Sequence, residues 1–175
     1  MTPKRDNFMA QNHRFFIAFL VLFSMSLAVS LRAEPVGFPK DKPALTIDVP
    51  AGWKADWVEA NDLPGGPRLQ LLADGDEADL SIKTLPESAG ITDDASAKAN
   101  LTKVALLDMQ EMEATKASAP EETTVAEHKA YKTKITTAIG FMEYTIFTPD
   151  GKAYFAMFSM NGGAASVIAA IKPAG

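Results

Sequence analysis

Residues 141–160 read FMEYTIFTPDGKAYFAMFSM. Two runs rich in aromatic and β-branched residues, Phe141 to Thr148 and Ala153 to Met160, flank Pro149-Asp150-Gly151. Pro presets φ for a turn and Gly tolerates the reversal, so the two runs form a hairpin. A connection this short makes the pair antiparallel, because parallel strands need a crossover of a dozen residues or more.

Working upstream, Val125 to Thr137 is a further strand-like run that follows a break at Ala119-Pro120-Glu121-Glu122. Before the break lies the one long helical pattern outside the N-terminus. Thr92-Asp93-Asp94 supplies its N-cap and first-turn acids, and good helix formers carry it from about Ala95 to Thr115. Arg68 to Leu72 and Ala78 to Leu85 pair across Asp74-Gly75-Asp76-Glu77, with Ala78, Leu80 and Ile82 as the alternating inner face. Leu45 to Val49 alternates with period two and closes at Pro50-Ala51-Gly52; Trp53 to Val58 follows, then the loop Asn61 to Pro67. Downstream, Asn161-Gly162-Gly163 turns the chain into a short closing helix, Ala164 to Lys172, stopped by Pro173. Strands joined by tight reversals around a single long helix predict an α+β fold: an antiparallel sheet of about six to seven strands, packed by one long helix and a short C-terminal helix.

At this point the segment LTIDVPAGW, a strand running into Pro-x-Gly-Trp, resembles the opening of the PsbP/Mog-like superfamily, which includes the DcrB-like exported bacterial proteins. The charged hairpin, the central helix and the aromatic hairpin YTIFTPDGKAYFAMFSM before a C-terminal helix are similar to that family as well. The resemblance spans nearly all of Ala44 to Gly175. It implies the family's fold and a habit of binding or accessory roles, and it carries over no catalytic residue. Bacterial members are often lipoproteins, and here the chain departs from them.

That departure follows from composition. The 175 residues are 47% hydrophobic and 22% charged, with no Cys. A lipoprotein anchor needs a cysteine, so it is excluded, as are a disulfide scaffold and thiol catalysis. The hydrophobic excess sits at one end, where FFIAFLVLFSMSLAVSL (15–31) follows Lys4, Arg5 and Arg14. This is the pattern of an export signal. Residues 1–33 are read as the signal peptide, cleaved after Ser30 or Ala33; retention as an uncleaved anchor stays open because the run is long for a signal and short for a span. Residues 34–43, with three prolines, are an extended lead-in, and 44–175 a single domain. The expected location is periplasmic or secreted, with membrane contact only through an uncleaved signal.

Removing residues 1–33 takes away Lys4, Arg5, Arg14, Arg32 and Asp6 and leaves 13 Lys and Arg against 21 Asp and Glu, a net charge of about −8. An acidic domain has no basic excess to attract phosphate backbones, so nucleic acid is not an expected partner.

Three residues are candidates for a ligand-binding role. On a helix with Leu101 facing inward, Val104, Ala105, Leu107, Met109 and Met112 share a broad apolar face, and Asp108 falls near its middle. A carboxylate there is a site acid or a ligand, or it sits at the end of the sheet where the face meets water, or it is paired with a Lys. His128, the one imidazole after the signal, has no catalytic signature around it and reads as a strand-edge residue or as the base of a small hydrolase with Asp108. Trp57, beside the Asn61–Pro67 loop, is either core, as Trp53 is, or one wall of a ligand groove.

Other clusters read as structure. The acids of Asp74 to Asp79 lack the glycine and closing glutamate of an EF-hand loop. Met109/Met112 and Met157/Met160 have soft-ligand chemistry but core spacing, the second pair pointing to opposite strand faces. No catalytic residue, metal site or cofactor is expected. The sequence predicts an exported, non-catalytic binding or accessory protein whose partner is a protein or small ligand of the cell envelope. The alternative is a small exported hydrolase or metal-dependent enzyme using His128 and Asp108.

Overall fold

Among the described residues two sheets are built from eleven strands: β1 (Val36–Phe38), β2 (Leu45–Ile47), β3 (Lys54–Val58), β4 (Arg68–Leu72), β5 (Ala78–Thr84), β6 (Lys116–Ala117), β7 (Glu121–Val125), β8 (His128–Thr137), β9 (Gly140–Phe147), β10 (Phe155–Met160) and β11 (Ile171–Pro173). The α-helices among the described residues are α1 (Asp94–Asp108) and the single-turn α2 (Ala165–Ile168). The computed structural model describes residues 35–59, 67–73, 78–160 and 164–175, all within the compact unit Ala33–Gly175. The signal reading of 1–33, most of the 61–67 loop and the side chains of Asp74 to Asp79 lie outside the described residues.

The main sheet runs β3-β4-β5-β10-β9-β8-β6, with β7 also paired to β8, and every pairing is antiparallel. The aromatic hairpin forms as the sequence predicts, Phe155 opposite Phe147 and Met160 opposite Met142. A second sheet, β1-β2-β11, is also antiparallel.

The α+β class stands, but the strand count exceeds six to seven: eight in the main sheet and three in the small one. Part of the excess lies in the segment read as lead-in, where Val36 pairs with Ile47 and Phe38 with Leu45. Another strand comes from the end read as helix. After α2, Ile171 is buried and pairs with Ile47, because a buried apolar residue beside an open strand edge gains both packing and backbone hydrogen bonds. The run from Val125 is a hairpin rather than one strand, β7 and β8 being joined by Ala126 and Glu127, both at positive φ (50° and 66°).

Helix α1 starts where expected. The Asp93 carboxylate accepts from Ser96 N–H at 2.7 Å, while Ser96 Oγ accepts from Asp93 N–H at 3.0 Å, a reciprocal capping box. It ends at Asp108, earlier than Thr115. Gln110–Met112 tightens into a 3-10 turn, Glu113 turns left-handed (φ 53°), and the chain then joins the sheet edge as β6.

Strand alternation divides the core in two. One cluster, with Leu45, Ile47, Leu69, Leu71, Leu80, Ile82, Phe155 and Ile171, fills the space between the main sheet and the small sheet. The other, with Leu101, Ala105, Ile135, Tyr144 and Ile146, lies between the main sheet and α1. Each fully buried aliphatic or aromatic side chain contributes roughly 1.5–3 kcal/mol. Both faces of the main sheet are thus covered over part of their area. Among the described residues no helix is long and apolar enough to cross a membrane.

Candidate functional site

Asp108 does point into the sheet. It is the last residue of α1, and its Oδ2 lies 2.7 Å from Lys83 Nζ, with side chains only 19% and 6% exposed respectively. Tyr144 OH donates to the same oxygen. Lys83 reaches it by alternation: Leu80 and Ile82 of β5 enter the small-sheet core, which turns Ser81 and Lys83 toward the helix. Burial, then the adjacent Asp108 carboxylate, push the Tyr144 phenol well above its ordinary value, so it stays a neutral donor.

Arg68 is paired in register with Lys83. Burial lowers its basicity, and Glu111 in the turn after α1 offsets part of that loss. Cations beside a helix C-terminus also meet the negative end of its dipole. Lys83 and Tyr144 meet the same carboxylate oxygen at the end of α1, so Lys83, Asp108 and Tyr144 act as a clamp between helix and sheet. Leu107, placed by periodicity on the buried face, is 61% exposed: the sheet-facing arc of α1 is narrow, formed by Ala97, Leu101, Val104 and Ala105.

His128 opens β8 opposite Val125 and is half-buried. Ala130, two residues on, belongs to the small-sheet core, whereas Tyr131 faces the helix, so alternation sends His128 to the side away from α1. It precedes Thr133, the partner of Tyr144, by five residues, roughly 17 Å of strand. Asp108 and His128 are therefore not brought together. Among the described residues no three His, Asp or Glu side chains converge on a cation position. Met157 and Met160 do point to opposite sides, each packed in a different core cluster.

Trp57 faces the small-sheet core from the sheet's end strand, as Trp53 does. Its ring stacks on Phe38 (centroids 5.6 Å apart, planes at 13°), and Phe38 in turn meets Phe155 edge-on at 5.6 Å. Phe38 and Phe155 are buried, while Trp57 is only partly so. Above this stack lies a cleft of about 1260 Å³ lined by residues of β1 and the turn after it, β3, the β5 end, the β9–β10 turn and the C-terminus. Lys40 Nζ stands 5.9 Å from the Trp57 ring centroid. Six of the lining residues are prolines, which present carbonyl acceptors and no N–H. Asp150 in the lining accepts from the backbone N–H of Lys152 (2.9 Å) and Ala153 (3.2 Å); the first of these is the main cause holding its carboxyl below its ordinary value.

Of the three candidates, only Trp57 lies in the cleft. The sequence pointed to Asp108 but not to its partners. The available signal was the inner face Ala78, Leu80 and Ile82, which leaves Lys83 on the other side. The contribution of β1 to the cleft had no signal beyond three prolines.

No family model and no curated protein matches the chain. Among solved structures it is similar to the solution structure of cyanobacterial PsbP (CyanoP) from Synechocystis sp. PCC 6803, with a TM-score of 0.46 and 15% identity over 81% of this chain and 92% of that one. The described residues form an α+β fold of antiparallel sheets with one main helix, carrying an aromatic-floored cleft at the edge of the main sheet.

Proposed function

We propose that this chain is an exported, non-catalytic binding or accessory protein of the PsbP/Mog-like, DcrB-like class, and that its cleft at Trp57 receives a protein or small ligand of the cell envelope. Residues 1–33 are the signal, removed after Ser30 or Ala33, and the mature domain works in the periplasm or outside the cell. The observation that carries this reading is the partly exposed Trp57 in a cleft of about 1260 Å³, while Asp108 is engaged by Lys83 and Tyr144 and stands apart from His128. An aromatic surface within a concavity is the usual setting of a ligand site.

The test is a photoreactive phenylalanine analogue at Glu59, in the cleft lining, and at Leu107, on the exposed side of α1. Irradiation of intact cells gives an adduct of discrete mass from the first position and none from the second. Adducts from Leu107 alone would move the binding surface elsewhere. N-terminal sequencing of the exported form tests the signal, and ester hydrolysis abolished by His128→Ala would favour the hydrolase alternative.

A further inference from the structure

The cleft's polar groups are unevenly committed. Lys40, Lys42 and Lys152 all line it, and among the described residues none has a carboxylate within ion-pair distance. The resting contact of Lys40 is the face of Trp57, a weaker partner than a charged oxygen. Three carboxylates line the cleft as well, Asp41, Glu59 and Asp150, so its charged side chains balance; Asp150 is held ionised by the backbone of its own turn and by the nearby Lys152 charge, which leaves Lys40 and Lys42 the less engaged cations. The prolines remove backbone donors, so the lysines are the strongest donors a bound molecule meets. On a domain of net charge about −8, this is a place where an anion is tolerated. Beneath the lysines lies the partly exposed Trp57 ring, a flat apolar face backed by buried Phe38 and, edge-on to that ring, Phe155.

Resting on the reading of the cleft as the binding site, we infer that its ligand is an amphipathic anion: a flat apolar body lies against Trp57, and its acidic group is taken up by Lys40 and Lys42. On binding, Lys40 exchanges the Trp57 face for the acidic group, and the vacated ring surface packs against the apolar body. Aromatics fix the plane of the ligand, and the lysines select its charge.

Two probes separate the parts of this inference. Anilinonaphthalene sulfonate has an aromatic body with one anionic group; N-phenyl-1-naphthylamine has the same rings and no charge. With the protein isolated from its own cells, the sulfonate accepts energy transfer from Trp57 and binds at least about tenfold tighter than the neutral dye. Lys40→Gln with Lys42→Gln lowers its affinity to that of the neutral dye, and in a Trp53→Phe background, where Trp57 is the single indole, Trp57→Phe removes the transfer. Equal affinity for both dyes, or a sulfonate affinity unmoved by the lysine changes, overturns the anion inference and leaves the cleft as an apolar site. If neither dye takes energy from Trp57, the cleft reading itself fails, and the inference with it.

Discussion

Lys83 of β5 and Asp108 of α1 meet at 2.7 Å, and this contact, with Tyr144 OH on the same carboxylate oxygen, fixes the C-terminal end of the helix against the sheet. Burying charges costs desolvation, so the pair adds little net stability over an apolar isostere. Its consequence is geometric: α1 is held where Asp108 finds both partners.

Removing one partner leaves the other charge buried. Asp108→Asn should destabilise the fold by roughly 3 kcal/mol in urea unfolding. Replacing both, as Lys83→Met with Asp108→Leu, should recover most of the loss, since no unpaired charge remains. An unchanged unfolding midpoint in Asp108→Asn would show that the clamp carries no energy.

Tyr144 gives the stability an alkaline limb. Its folded-state pKa lies well above the ordinary value of 10.0, chiefly through burial. Its stabilising contribution is therefore complete below about pH 10 and is lost as pH rises from there toward the folded value. Tyr144→Phe should cost roughly 1.5–3 kcal/mol at neutral pH, as for a hydrogen bond to a charged group, and flatten the decline above pH 10. Unfolding midpoints measured from pH 7 to 11 in both proteins decide this.

The β7–β8 hairpin turns through two non-glycine residues at positive φ, Ala126 (50°) and Glu127 (66°). That is the conformation of a type I′ turn, where Gly is favoured at the second position. Glu127→Gly should raise stability by about 1 kcal/mol, and a β-branched Glu127→Val should lower it. Thermal unfolding of both variants provides the check.

Gly37 is required for a different reason. A Cβ there would lie 2.6 Å from Pro43 Cγ and 2.9 Å from Pro43 Cβ. Pro43 lines the cleft, so Gly37→Ala should cost about 1–3 kcal/mol through overpacking and displace that wall. The measurable result is a lower melting temperature together with weaker dye binding. Wild-type dye affinity in this variant would show that Pro43 does not shape the cleft.

Local signals were readable wherever neighbouring residues settle them. The Pro149-Asp150-Gly151 reversal, the Asp93 cap and the two faces of Met157 and Met160 follow from turn chemistry, capping and period-two alternation. Strands too short to show a period were not readable. Val36–Phe38 and Ile171–Pro173 extend only because both find β2, far away in sequence. Asp108 was legible as an anomaly, whereas Lys83 and Tyr144 became its partners only through the sheet order β5-β10-β9, which brings their strands beneath the end of α1.

The sequence by itself determined the α+β class, the antiparallel hairpins, the exclusion of cysteine chemistry and the acidic character of the domain, because these depend on composition and on residues a few positions apart. Tertiary structure decided the second sheet, the helix-to-sheet clamp, the separation of Asp108 from His128 and the cleft at Trp57. Each of these joins segments distant along the chain, and only closure of the sheets fixes which side chains share a space.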